Sequence, residues 1–280
     1  WMFLYHYRSE MRIPFIKAQG AGNDFVIIDK NVDNIGKSKK LIKTLCNRKM
    51  GIGCDQLILI KKNGNSYHVK FYNSDGSIAN NCGNGLRCVY KYLTEIKGIK
   101  NPTIKTKSFT HLGKKIQDLY QTNVGNVSTD WKKIPLLRNK DTQNLKFPNI
   151  QIPGLIKIMS ASIGNPHCIV LVKNLNQITI EEIGPKLVSH KIFKNQANVT
   201  FVQKISSTNI KVLFWERGAG HTLACGSGIC ATAYTLYLNN FTEKSIQIKT
   251  ECSDLYTSIE NKTVSLTGPA EIIFQGEFLI

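Results

Sequence analysis

Acidic side chains are scarce in this 280-residue chain: 19 Asp and Glu stand against 37 Lys and Arg, a formal net charge of +18. Long hydrophobic runs are missing altogether, since nothing approaches the roughly 18 consecutive apolar residues of a membrane-spanning helix. The aromatic opening WMFLYHYRSE has no basic segment ahead of an apolar stretch and no small-residue cleavage site, so no secretory leader is expected. Organised sequence begins near Met11, and residues 1–10 read as an upstream extension. The eight cysteines include no C-x2-C pair, which excludes the common zinc and dithiol spacings. A chain of this size needs no disulfide framework, so reduced thiols in a cytoplasmic setting are the expectation. Low-complexity tracts and long linkers are also lacking. With 42% hydrophobic and 20% charged residues the composition is ordinary and globular, which excludes disorder and coiled coil.

The basic excess raises nucleic acid or an anionic membrane as partners. Neither is expected here. Lys-Lys pairs fall at 39–40, 61–62, 114–115 and 132–133, scattered and without interleaved aromatics. A Lys-, Asn- and Ile-rich chain is what an A/T-rich coding sequence yields, so the charge reads as composition spread over the surface.

Apolar patterning predicts strands at 25–29, 56–60 and 69–73, and a helix from 39 to Gly51 behind Ser38. A second helix carries the stripe Leu86, Val89, Tyr90 and Leu93 and closes near Gly98. Residues 103–154 are polar and weakly patterned. Beyond them, strands are predicted at 156–160, 168–172, 198–203 and 211–216, with helices at 181–190 and from Gly226–Gly228 to Leu238. The closing AEIIFQGEF reads as a strand.

One chemical device occurs twice. Residues 81–88 read NCGNGLRC and 224–230 read ACGSGIC, each a cysteine followed at once by Gly-x-Gly and a helix. Asn73 stands nine residues before Cys82 and Glu216 nine before Cys225, and the two cysteines are 143 positions apart. Equal offsets on both sides point to a duplicated fold unit. A thiol at a helix N-terminus meets unpaired N–H groups and the positive end of the helix dipole, which lower its pKa. The glycines let backbone approach a ligand, and their N–H groups can grip a carboxylate. Two such termini converging would leave one cysteine on each face of an α-carbon. Inverting a stereocentre needs that arrangement: a base on one face and an acid on the other. Plainer readings stand beside it. Each cysteine alone could be a packed core thiol, and Cys88 and Cys230 are expected to face the core. GSGICA at 226–231, with Glu251 beyond it, also satisfies a dinucleotide-binding pattern.

Together QGAGNDFVIID (19–29), GIGCDQL (51–57), NSDGSIANNCGNGLRC (73–88), GNPHC (164–168), NVTFV (198–202) and ERGAGHTLACGSGICA (216–231) resemble the diaminopimelate epimerase family, in its order and spacing. The resemblance implies an isomerase of lysine and peptidoglycan-precursor biosynthesis, converting LL-2,6-diaminopimelate to the meso isomer without metal or other cofactor. Cys82 and Cys225 match its two acid/base cysteines. Gly83, Asn84, Gly226 and Ser227 match the positions that hold the reacting carboxylate. Asn23, Gln56, Asn73, Asn165, Asn198, Glu216 and Arg217 match its substrate-binding side chains, and His167 and Glu216 the residues that tune the thiols. Singly, Asn23, Asn73 and Asn165 read as turn residues, His167 as a satisfied buried histidine, and Glu216–Arg217 as a surface pair. Asp24 and Asp75 read only as turn formers. His221 departs from the family, which carries Glu there, and stands four residues before Cys225. The implied fold is α/β, of the α+β type: two pseudo-symmetric domains, each a mixed sheet around a central helix. The domains are expected at 1–125 plus 270–280 and at 126–269, crossing near Gly125. A homodimer supported by Phe274 is a further implication. Proline racemase and phenazine-biosynthesis isomerases are the nearest rivals; the first would show a C-G-H-G motif and the second would lack the cysteine pair.

Overall fold

The computed structural model describes residues 12–30, 32–79 and 82–280, so the expected extension at 1–10 lies outside it. Strands β1 (Arg12–Gly20) and β2 (Asn23–Ile28) form a hairpin. Helices α1 (Val32–Lys37) and α2 (Lys39–Cys46) then cross to β3 (Gln56–Asn63), parallel to β2. β4 (Ser66–Asn73) returns antiparallel, with the short β5 (Ile78–Ala79) beside it. Helix α3 (Gly83–Lys91), prolonged by a π turn at Tyr92–Ile96, leads to β6 (Thr103–Lys105), parallel to β4, and β7 (Thr110–His111). The hairpin β8 (Gly113–Ile116) and β9 (Leu119–Asn126) joins the second sheet.

The same order then recurs. β10 (Leu155–Ser162) and β11 (Pro166–Val172) form a hairpin, and α4 (Ile180–Val188) crosses to β12 (Asn198–Lys204), parallel to β11. β13 (Asn209–Glu216) returns with the short β14 (Gly220–Thr222). Helix α5 (Gly226–Leu238) leads to β15 (Ser245–Lys249), parallel to β13, and β16 (Asp254–Glu260). β17 (Thr263–Gly268) bridges β16 to β9, and β18 (Glu271–Leu279) returns to pair with β1. The chain thus changes sheet at Leu112, ahead of Gly125, and comes back after Gly268.

Each sheet holds one helix on its inner face and shorter helices on its outer face. α3 packs Leu86, Cys88 and Val89 against Phe25, Ile58 and Phe71. α5 is buried from Gly226 to Leu236 without a polar face, as a helix enclosed by a sheet must be. Its Ile229 and Leu236 are fully buried, each contributing about 1.5–3 kcal/mol. Cys88 and Cys230 face these cores, as the sequence suggested.

Two differences from the sequence reading have local causes. α2 stops at Cys46 and does not reach Gly51, because Asn47 leaves the helix and its Oδ1 accepts from the Lys49 and Met50 N–H groups at 2.8 Å. Gly51 instead lets the loop pass close behind α2, where a Cβ would sit 1.9 Å from the Thr44 carbonyl oxygen. The β8–β9 hairpin has no apolar period, since β8 turns Lys114, Lys115 and Ile116 to solvent and β9 buries Thr122 between Tyr120 and Val124.

Candidate active site

A cleft of about 800 Å³ runs between the two halves, lined by strand ends that the duplication makes equivalent. Gln56 opens β3 and Asn73 closes β4, paired across the ladder, with Gln56 Nε2 donating to Asn73 Oδ1 at 2.9 Å. In the second half Asn198 opens β12 and Glu216 closes β13. Asn23 stands at the start of β2, and Asn165 immediately precedes β11. All six line the cleft with Arg217, Cys82, Gly83, Cys225, Gly226 and Ser227.

Both cysteines are helix N-caps in extended backbone conformation. Cys82 Sγ accepts from the Gly85 N–H at 3.4 Å, and Cys225 Sγ lies 3.6 Å from Ser227 Oγ. The first-turn N–H groups of both helices have no helical acceptor; the Gly85 and Gly228 N–H groups turn to the cysteine sulfurs, and those ahead of them can meet an anion. The two helices abut at their N-termini. A Cβ on Gly226 would lie 3.2 Å from both Gly83 Cα and Asn84 N, and one on Gly83 would lie 3.7 Å from Gly226 Cα. The approach is tight on the Gly226 side, where a side chain would crowd backbone, and of ordinary contact distance on the Gly83 side. It also answers the dinucleotide reading of GSGICA: the N-terminus of α5 faces that of α3, and Glu251 is engaged by His221 at 2.6 Å.

At both sulfurs burial outweighs the helix termini. The Cys82 thiol is pushed up to about 11 by loss of solvent, with the nearby Glu216 charge adding to it and the Gly85 N–H opposing. Cys225 is raised well above its ordinary value by burial and then by Glu216, with which it shares a hydrogen bond. Glu216 is itself raised by burial, against bonds from the Thr222 hydroxyl (2.6 Å) and the Cys225 thiol. The expectation of lowered thiols is therefore reversed, because the protein removes more water from each sulfur than its N–H groups replace.

Two expected residues stand back from the cleft. Asn84 is buried and outside the cleft lining, its Oδ1 accepting from Arg87 Nη1 at 3.0 Å. His167 is fully buried in β11, with Nε2 3.1 Å from Asn165 Oδ1. Because that oxygen can only accept, Nε2 carries the proton. Burial, with Arg217 adding, holds the ring down at about 3, so it is neutral. Asn165 Nδ2 then donates to Ser227 Oγ at 3.3 Å, the hydroxyl beside Cys225. His221 lines the cleft but bonds Glu251, not Cys225.

Two groups carry more than the sequence suggested. Asp24, read as a turn former, takes Lys17 Nζ at 2.6 Å and both terminal nitrogens of Arg48, at 3.0 and 2.7 Å. These cations hold its carboxyl well below the usual range despite burial. Arg87, on α3, is fully buried, with Nε on the Pro269 carbonyl at 3.2 Å and Nη2 unpartnered. Asp75 does act as a turn former, its Oδ1 accepting from the Ser77 N–H at 2.8 Å. Among the described residues no group of three or more His, Cys, Asp or Glu side chains is placed to hold a metal, and no helix is long and apolar enough to cross a membrane.

A duplicated scaffold whose two central helices meet under one cleft is a fold with solved members. A PhzF-family protein from Enterococcus faecalis superposes with a TM-score of 0.69 at 11% identity, covering 96% of this chain and 100% of that one. A hydroxyproline epimerase from Agrobacterium vitis gives 0.69 at 13% identity, covering 96% and 91%. Such identities establish the scaffold alone. Sequence is more specific: the profile of the family described as diaminopimelate epimerase matches residues 15–110 and 159–273. Diaminopimelate epimerase of Pelagibacter ubique is 41% identical over 94% of this chain and 97% of its own length, and that of Gluconobacter oxydans 36% over 95% and 99%. The chain belongs to the diaminopimelate epimerase family.

Proposed function

We propose that this protein is an isomerase that interconverts LL-2,6-diaminopimelate and meso-diaminopimelate, with Cys82 and Cys225 as the two acid/base groups. The observation that carries the reading is the abutment of two cysteine-capped helices at Gly83 and Gly226. The reacting carboxylate lies on the N–H groups of Gly83, Asn84, Gly226 and Ser227, which stabilise the charge that develops as the α-proton leaves. One cysteine thiolate takes that proton while the opposite thiol gives its own to the other face. The carbon is inverted, and the first sulfur ends as thiol, the second as thiolate. Glu216 supplies the exchange that arms the pair, since a carboxylate raised by burial and hydrogen-bonded to Cys225 can hold that thiol's proton. His167 acts through Asn165 and not on sulfur. The distal amino-acid head is read by amides from both halves, Asn23, Gln56, Asn73, Asn165 and Asn198, and by Arg217, whose fork suits a carboxylate. Closure of the cleft keeps water from the carbanion.

Replacing Cys82 or Cys225 by Ala is expected to abolish interconversion, followed by chromatographic separation of the stereoisomers; turnover retained in either variant would overturn the two-base assignment. We place the reaction in the cytoplasm, where the eight free thiols stay reduced. We also propose a homodimer through the edge strand β18, which exposes Ile273, Phe274 and Leu279 along nine residues.

A further inference from the structure

The cleft holds two amides in equivalent places, Asn23, which meets Cys82, and Asn165, which meets Ser227 beside Cys225. An amide has one accepting and one donating end, so a neighbour must decide which end meets the sulfur. On the second half that neighbour is His167, whose Nε2–H takes the Asn165 oxygen and turns its nitrogen toward Ser227. The first half has no such histidine. It has Asp55, which lines the cleft at a position equivalent to the buried Ala197. Asp55 Oδ2 accepts from Asn23 Nδ2 at 2.7 Å and from the Asp24 N–H at 3.1 Å. Its other oxygen is held by Arg48 Nη2 at 2.7 Å, and Arg48 is anchored in turn on Asp24. With its nitrogen committed to a carboxylate, Asn23 turns Oδ1 to Cys82, where it accepts from Sγ at 3.7 Å.

We infer that Asp55 is a positioning residue, which fixes the Asn23 amide so that its oxygen receives the Cys82 thiol proton. The inference rests on the reading of Cys82 as an acid/base group. It gives the two halves different orienting partners, a neutral histidine behind Cys225 and a clamped carboxylate behind Cys82. The thiols are thereby set apart although their helices are alike. Asp55 reaches the sulfur by hydrogen bond through Asn23, and its charge also raises the Glu216 carboxyl, which removal of that charge in both Asp55→Asn and Asp55→Ala relaxes alike. The other charged or titratable groups facing Cys82 are Glu216 from β13 and Arg87 and Cys88 from α3, and all three are intact in the variants below. Behind Asp55 stand Arg48 and Asp24.

Asp55→Asn preserves shape and introduces a donor. The new amide can offer N–H to Asn23, turning that amide over so that its nitrogen meets sulfur and favours thiolate. Asp55→Ala removes the carboxylate without that donor, so amide orientation is the lever only if Asn exceeds Ala in effect. The probe is iodoacetamide, with alkylation of the Cys82 peptide measured by mass spectrometry across pH; the exposed Cys252 provides the reference thiol. In Asp55→Asn the Cys82 alkylation midpoint is expected to move acidward by about one unit, and in Asp55→Ala by less. kcat should fall roughly ten- to hundredfold with KM little changed, and Asp55→Glu should restore most of it. An unmoved midpoint in a natively folded Asp55→Asn protein overturns the inference, as does an equal shift in Ala and Asn or a change confined to KM. Should Asp55→Asn not fold, Arg48→Gln, which loosens Asp55 but keeps its charge, must shift the midpoint the same way by a smaller amount; no shift overturns the inference. Alkylation needs no turnover, so loss of the epimerase reading alone would show as a wild-type protein without isomerisation but with the midpoint shift intact.

Discussion

Gly226→Ala tests the abutment that builds the site. A methyl group there meets backbone, with Gly83 Cα and Asn84 N each at 3.2 Å and Asn84 Oδ1 at 3.3 Å. None of the backbone atoms can swing aside, so the two helix termini must separate by about 0.4 Å to reach ordinary contact. A misplacement of about 1 Å can cost about a hundredfold in rate, so this one should lower kcat roughly five- to tenfold, near 1 kcal/mol. Stability should hold, because Ala is a better helix former than Gly. Gly83→Ala makes the contrast. Its Cβ meets Leu266 Cδ2 at 3.0 Å and Val124 Cγ2 at 3.4 Å, both ends of side chains that can shift, so a loss of no more than about threefold is expected. Gly226→Val should lose about a hundredfold. The assay is the initial rate of stereoisomer interconversion with a thermal melt beside it. Full activity in Gly226→Ala, or a larger loss in Gly83→Ala, would refute the claim that the contact between helix termini sets the geometry.

Three further outcomes are expected. Glu216 is raised by burial, so its stabilising contribution is complete below its ordinary value of 4.5 and fades as pH rises toward the folded value. Glu216→Gln should therefore melt higher than wild type at pH 8, by a margin that shrinks toward pH 4.5, while its epimerisation is slower; a variant less stable at pH 8 would contradict this. His167, held down at about 3, contributes stability above its ordinary 6.5 that is lost as pH falls toward 3. Melts of His167→Gln should show a shallower acid limb than wild type across that window, and an identical limb would contradict the assignment. Phe274 is 48% exposed and packs edge-to-face on Phe15 at 5.9 Å, so Phe274→Asp should leave a monomer by light scattering, against a wild-type dimer.

The proposed acid/base pair was legible because duplication writes itself into spacing: Cys82 and Cys225 share motif and offset, each caps a helix, and the structure repeats hairpin, crossover, hairpin and helix around them. The strands flanking them were legible from apolar runs buried on both faces, such as Pro166–Val172. Other features depend on partners far off in the chain. Asp24 looks like a turn residue until Lys17 from β1 and Arg48 from the loop after α2 close on it. Asp55 gave no signal beyond its place beside Gln56. Strands β15, β16 and β17 carry solvent-facing Lys, Tyr and Ser that dilute their period, and β8 is exposed along most of its length. Sign was the subtler failure. A cysteine at a helix N-terminus suggests a lowered thiol, yet how much water the fold removes from the sulfur is visible only once both halves are in place.

The most direct test of the central claim is isotopic. Incubated with LL-diaminopimelate in deuterated water and sampled at low conversion, the protein should yield meso product carrying one deuterium at the inverted α-carbon, while recovered LL substrate stays unlabelled there. In the proposed mechanism two different groups handle the departing and the arriving proton, and only the one that delivers to product has exchanged with solvent. Deuterium appearing equally in recovered substrate and product would mean that one group serves both faces, and would contradict the two-cysteine account.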